Sequence, residues 1–161
     1  MRHPPKQKSE YGAQLAEKQE LRESYGLREV QFRRYFRRAK NPEEAIKFLE
    51  ARLDNVVFRC GFAPGRKFAR QLVSHGHIQV NGKNVNVPSY EMRVGDTVNI
   101  HPLSLKLVPF QNLGLTLQKY EPPIWIELDK AQFRGKIIGQ PVVDDPLIIA
   151  QVRPIIEFYS R

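Results

Sequence analysis

Apolar positions recur with a helical period through the first half of this chain and then switch to a period of two. Ser9 can cap a first helix in which Leu15 and Leu21 lie near one face. Its end is expected at Tyr25-Gly26, where glycine suits the position after a last turn. A second helix is predicted from about Arg28 to Lys40, with Phe32 and Phe36 four apart on one stripe. Asn41-Pro42-Glu43-Glu44 is a strong helix start: Asn41 caps, Pro42 suits the first turn, and the two acids oppose the macrodipole. Ile46, Leu49, Leu53, Val56, Val57 and Cys60 then follow at steps of one, three or four, which predicts one amphipathic helix ended by Gly61. Beyond the turn Ala63-Pro64-Gly65, a shorter helix from Arg66 to His75 turns Ala69, Leu72 and Val73 inward and stops at Gly76.

From Ile78 onward the signal is that of strands. Ile78 and Val80 alternate with polar residues, Asn81-Gly82 predicts a type I′ hairpin, and Val85 and Val87 alternate again. Val94-Gly95-Asp96 predicts a turn before Val98 and Ile100. Residues 102–123 carry four prolines (Pro102, Pro109, Pro122, Pro123) and read as an irregular connection with some apolar anchoring. Ile124–Leu128, Ile137-Ile138 and Ile155–Tyr159 are predicted strands.

Composition narrows the function. The chain has 161 residues, 41% hydrophobic and 27% charged, which excludes a disordered polyampholyte. No uncharged apolar run approaches the length of a transmembrane helix, and Met1–Lys6 lacks the apolar core of a signal peptide. A single cysteine, Cys60, continues an apolar stripe, so it reads as core; it excludes an internal disulfide and a multi-cysteine zinc site. The net charge is +9, and the excess is confined to the first three-quarters: +5 over residues 1–60, +5 over 61–120, and −1 over 121–161. A polyanionic partner is expected on that part of the chain.

Two clusters carry the candidate chemistry. Arg66, Arg70 and Ser74 recur every four residues on one helix face, with Lys67 beside them and no acid among residues 66–75. His75 and the hairpin lysine Lys83 follow, so a helix end and a tight turn form a basic ridge suited to the phosphates of folded RNA. Arg33, Arg34, Arg37 and Arg38 form two adjacent stripes whose mutual repulsion phosphates would relieve. Tyr11, Tyr25, Tyr35 and Tyr90 are possible stacking groups. Enzymatic readings are weaker. Gly61–Lys67 has the wrong spacing for a phosphate loop, His75 and His77 have no nearby carboxylate or thiol, and Asp144-Asp145-Pro146 is a turn. No catalytic residue, metal or other cofactor is expected.

Several segments resemble a known family. Arg52-Leu53-Asp54-Asn55-Val56-Val57, Ala69-Arg70-Gln71-Leu72-Val73-Ser74-His75-Gly76-His77-Ile78, Val80-Asn81-Gly82 and Pro88-Ser89-Tyr90 resemble the S-four RNA-binding domain. Lys8-Ser9-Glu10-Tyr11-Gly12, Gln14-Leu15, Glu17-Lys18-Gln19 and Ile156–Arg161 resemble the bacterial-type ribosomal protein S-four family of the small subunit. The resemblance implies an α+β fold: a mainly helical domain, residues 1–51 completed by 124–161, with a small domain of a helix pair and β-hairpin, residues 52–123, inserted in it. It implies a non-enzymatic primary binder of small-subunit rRNA that nucleates assembly of the subunit body, lies near the mRNA entry side, contacts ribosomal protein S-five and influences decoding accuracy. By the same resemblance Arg52, Arg66, Arg70, Gln71, Ser74, His75, Asn81 and Lys83 are RNA-contact residues, joined by Lys67 on charge alone. The expected location is a ribosome, cytoplasmic by default and organellar as the open alternative. An RNA-modifying enzyme or a stand-alone RNA chaperone carrying the same small domain are rival readings. Two departures stand out. Family members usually begin with roughly forty further residues, often with metal-binding cysteines, whereas this sequence starts almost at the Lys8-Ser9-Glu10 motif. After Ile100 the family often has a basic run, whereas His101–Leu107 is mostly apolar, so a protein neighbour is expected to replace RNA there.

Overall fold

A computed structural model describes residues 10–142 and 146–160. It divides into two compact units, residues 1–46 with 144–161, and residues 47–143. The fold is of the mixed α+β class, with seven α-helices and five strands among the described residues.

The first unit is helical. It contains α1 (Glu10–Ser24), α2 (Glu29–Arg38), the start of α3 (Pro42–Glu50) and α7 (Pro146–Ser160). Asn41 caps α3 as its sequence requires, its Oδ1 accepting from the Glu44 N–H at 2.8 Å. Phe32 and Phe36 on α2 are buried, with ring centroids 4.5 Å apart, and Tyr159 of α7 packs on both, at 6.4 and 5.9 Å. Ile155–Tyr159 is therefore helix, not the expected strand. Its β-branched and aromatic residues favour a strand locally, but Val152, Ile155 and Tyr159 fall at helical spacing, and Val152 and Ile155 are buried. Packing against α1 and α2 overrides the local preference even with Pro154 inside the helix. The expected cap Ser9 and the Asp144-Asp145 pair lie outside the described residues.

The second unit begins with a break the sequence conceals. The single helix expected from Asn41 to Cys60 is two, α3 and α4 (Leu53–Arg59). At Arg52 the backbone is extended (φ −62°, ψ 140°), and it bridges Glu91. The Met92 N–H donates to the Ala51 carbonyl at 2.7 Å, and the Leu53 N–H to the Tyr90 carbonyl at 2.8 Å. The segment Pro88–Met92 thus competes successfully for backbone groups that a continuous helix would have used. Helix α5 (Arg66–Ser74) matches expectation. Gly76, at φ +81°, ends it in a Schellman motif: the His77 N–H donates to the Leu72 carbonyl and the Gly76 N–H to the Val73 carbonyl.

An antiparallel sheet follows, in the order β2-β1-β3-β5-β4. Its strands are β1 (Ile78–Val80), β2 (Lys83–Asn84), β3 (Thr97–Ile100), β4 (Ile126–Asp129) and β5 (Arg134–Ile137). Asn81 and Gly82 both take positive φ, 51° and 79°, as a type I′ turn demands. Strand β2 stops at Asn84; the Val85 N–H still donates to the Ile78 carbonyl at 3.3 Å, and Val87 lies outside any strand. One face of the sheet, with Ile78, Val80, Val98, Ile100, Ile126 and Ile137, shares a core with Leu53, Val56, Val57, Cys60, Leu72 and Val73 of α4 and α5. Fully burying each such aliphatic side chain contributes about 1.5–3 kcal/mol.

Two further expectations change. Residues 124–142 do not complete the helical unit; β5 pairs with β3, Val98 opposite Gly135, so this hairpin belongs to the sheet. Residues 102–123 are not irregular throughout. They form two 3-10 turns (Pro102–Lys106 and Val108–Phe110) and α6 (Leu113–Gln118), anchored by buried Ser104, Phe110, Leu113 and Leu117.

Candidate nucleic-acid interface

Helix α5 presents its polar side to solvent. Lys67, Gln71, Ser74 and His75 are exposed and Arg70 is half-buried, while Ala69, Leu72 and Val73 are buried. The Ser74 hydroxyl donates back to the Arg70 carbonyl at 2.9 Å, which leaves its oxygen as an acceptor. The Schellman turn at Gly76 directs the chain from α5 into β1, and the hairpin beyond it exposes Lys83.

Asn81 acts inside the hairpin. Its Nδ2 donates to Asp96 Oδ1 at 3.0 Å, and its Oδ1 accepts from the Thr97 N–H at 3.0 Å. These bonds tie the type I′ turn to the start of β3, so Asn81 fixes where Lys83 is displayed.

Two arginines have other partners. Arg52 is 2% exposed and makes a two-pronged pair with Asp54, Nε to Oδ1 at 3.2 Å and Nη2 to Oδ2 at 3.1 Å. It clamps the start of α4, a placement that goes with the helix break at this residue. Arg66 leans back onto α4. Its Nε donates to Asn55 Oδ1 at 2.8 Å, its guanidinium lies 4.8 Å from the Phe58 ring centroid, and its Nη2 is 3.9 Å from Glu50 Oε1. The expected face of Arg66, Arg70 and Ser74 is therefore led by Lys67 and Arg70, with Arg66 holding the helix in place.

Glu50 and Asn55 form the centre of that hold, and the sequence reading missed both as such. Asn55 is fully buried and donates through Nδ2 to the Glu50 carbonyl at 2.9 Å and to the Glu50 carboxylate. Arg59 adds two bonds to the same carboxylate, at 3.0 and 2.8 Å. The available signal was polar Glu50, Arg52, Asp54 and Asn55 at the point where the apolar stripe should have been uninterrupted; buried polar groups of this kind must be satisfied within the protein.

In the helical unit Arg33, Arg34, Arg37 and Arg38 are all exposed along α2. Arg33 is oriented by Glu29, 3.8 Å away, and by the Tyr159 ring, 5.9 Å from its guanidinium carbon. Glu29 also accepts from Lys18 Nζ at 2.6 Å and from the Tyr159 hydroxyl at 2.8 Å. Burial opposes its charge, but these two bonds and the charges of Lys18 and Arg33 outweigh it and hold the carboxyl below its ordinary pKa. Of the tyrosines considered for stacking, Tyr25 is core, whereas Tyr11 and Tyr90 are exposed. His77 has a structural setting, its Nδ1 lying 2.8 Å from Ser104 Oγ.

The S4 domain family matches residues 51–98, and the family described as the ribosomal protein S4/S9 N-terminal domain matches residues 1–55. The small ribosomal subunit protein uS4 of Natranaerobius thermophilus is 45% identical over 158 residues, 95% of this chain and 76% of that protein. The uS4 of Roseiflexus castenholzii is 45% identical over 97% of this chain and 79% of its own length, and that of a Sulfurihydrogenibium species 46% over 96% and 79%. The chain belongs to the uS4 family of ribosomal proteins. That family is one of structural ribosomal components, not of enzymes, which removes the RNA-modifying reading. Among the described residues no helix is long and apolar enough to cross a membrane.

Proposed function

We propose that this protein is a primary binder of small-subunit rRNA that nucleates assembly of the subunit body, as its relatives' name and its S4 domain together suggest. The observation that carries the reading is the acid-free outer side of α5, where Lys67, Arg70, Gln71, Ser74 and His75 lead into a hairpin displaying Lys83. Cations and hydrogen-bonding groups on a rigid helix–turn–hairpin suit the backbone and 2′-hydroxyls of a folded RNA junction. The Arg33, Arg34, Arg37 and Arg38 side of α2 is a second phosphate contact. The S4-type unit is read as inserted into the helical one. Within the ribosome the protein lies near the mRNA entry side, touches ribosomal protein S-five and influences decoding accuracy.

The test is binding to a small-subunit rRNA fragment across a salt series. With about six to ten phosphates contacted, affinity falls roughly a thousandfold or more between 50 and 200 mM salt. A flat salt response refutes the reading. Retention on salt-washed small subunits separates it from a stand-alone chaperone, which washes off.

A further inference from the structure

The tip between β1 and β2 combines a reactive dipeptide with a carboxylate that restrains it. Seven asparagines occur in the chain; six precede proline, valine, isoleucine or leucine, and only Asn81 precedes glycine. A branched side chain after an asparagine shields the following backbone nitrogen, and proline has no N–H to give up; glycine imposes neither obstacle. Asn81 and Gly82 are both exposed. A β-carbon built on Gly82 would meet nothing within 4 Å, so this side of the backbone is open to water. The Asn81 amide, however, is engaged. Its Nδ2 donates to Asp96 Oδ1 at 3.0 Å, and its Oδ1 accepts from the Thr97 N–H at 3.0 Å and from the Thr97 hydroxyl at 3.4 Å. Asp96 is itself fixed, its Oδ2 accepting from the Arg93 N–H at 2.9 Å.

We propose that Asn81 is a site of spontaneous deamidation, guarded by Asp96, and that its conversion loosens the hairpin tip displaying Lys83. The Gly82 nitrogen attacks Asn81 Cγ. A C–N bond forms and closes a cyclic imide, the Cγ–Nδ2 bond breaks, and ammonia leaves with the proton that the Gly82 nitrogen gives up. Water then opens either imide C–N bond, giving aspartate or isoaspartate. Nothing is oxidised or reduced, and water is the one co-reactant. In the aspartate product a carboxylate oxygen replaces the donor Nδ2, so two like charges meet where a 3.0 Å hydrogen bond stood. Isoaspartate also routes the main chain through its β-carbon, which destroys the two-residue type I′ geometry matched to the twist of the strands. The chemistry is independent of the rRNA reading, because it holds whatever Lys83 contacts.

The full chain is kept at neutral pH, sampled over time and digested for peptide mass analysis, with chromatography separating aspartate from isoaspartate. Residue 81 should be the first asparagine converted, more slowly in the native chain than in urea. Asp96→Ala should speed the native reaction about fivefold, the factor that one lost hydrogen bond is worth. Earlier conversion at another asparagine, or none at 81 in the native chain, overturns the site. Equal rates with and without the Asp96 carboxylate overturn the guard. The consequence is read separately by hydrogen exchange in Asn81→Asp. Protection of the Thr97 and Val85 N–H groups should fall about tenfold by local opening while that of α4 is unchanged. Adding Asp96→Asn exchanges donor and acceptor across the same contact and should restore protection. Unchanged protection in Asn81→Asp, or no recovery in the double variant, overturns the proposed effect on the hairpin.

Discussion

The Nε of Arg66 donates to Oδ1 of Asn55 at 2.8 Å, joining the first turn of α5 to the buried side of α4. Through Asn55 the contact continues to the Glu50 carbonyl and carboxylate. Helix α5 is therefore seated on a polar hinge pin as well as on an apolar core. Replacing Asn55 with Ala leaves the Glu50 groups and the Arg66 guanidinium short of a partner inside the protein. The expected loss is about 2–4 kcal/mol, since abandoned buried polar groups each cost about 1–3 kcal/mol. Urea unfolding followed by the fluorescence of Trp125, the chain's one tryptophan, measures it.

The two arginines of α5 should behave differently. Arg70→Glu combined with Lys67→Glu reverses charges on the outer side of the helix, so rRNA affinity falls steeply and the log–log salt slope drops by about two. Urea stability should move by less than about 1 kcal/mol, as for other surface changes. Arg66→Glu instead places a second carboxylate near buried Glu50 and should lower the unfolding midpoint. A variant pair with interchanged effects would reverse the roles given to these side chains.

Gly135 lies where no side chain fits. A β-carbon there would meet Cys60 Sγ at 2.5 Å and Val98 at 3.5 Å. Gly135→Ala should destabilise by about 1–3 kcal/mol through overpacking. Cys60→Ala opens that space, so the double variant should be more stable than the two single losses predict when added. Strict additivity in the double-mutant cycle would show that the sulfur is not the obstacle. Burial also pushes the Cys60 thiol up to about 12, so it should resist alkylation in the native state.

The helical unit should be sensitive to pH at both ends. Glu29 is held below its ordinary value of 4.5, so its contribution is complete above that pH and disappears as the pH falls through the lower folded value. Tyr159 is shifted the other way, first by burial and then by its bond to Glu29 and the charge there. Its contribution is present below its ordinary value of 10.0 and is lost as the pH rises through the higher folded one. Thermal unfolding by circular dichroism should show both trends, with Glu29→Gln removing the acid trend and Tyr159→Phe the alkaline one. Retention of the acid trend in Glu29→Gln would assign it to other carboxylates.

Much of the fold and part of the site were legible from local rules. Asn41-Pro42, Asn81-Gly82 and Gly76 each impose a backbone conformation through their own covalent chemistry, so the start of α3, the hairpin and the end of α5 follow from nearest neighbours alone. The apolar spacing of α5 likewise fixed which side of that helix is exposed, and with it Lys67, Arg70 and Gln71.

The remaining features depend on partners far along the chain. Arg52 leaves the helix because residues 88–92 offer its neighbours backbone hydrogen bonds, and no signal near Arg52 reports that offer. Arg66 turns inward because Asn55 waits on α4 and Glu50 at the end of α3, while Ile155–Tyr159 coils because Phe32 and Phe36 supply a helical groove. The chain by itself determined its turns, its helix faces and its surplus of positive charge, since each depends on covalent geometry or on composition. Tertiary structure decided which arginines support the fold, where the long helix breaks and which sheet takes the 124–142 hairpin, because each choice is a competition among groups that only folding brings within bonding distance.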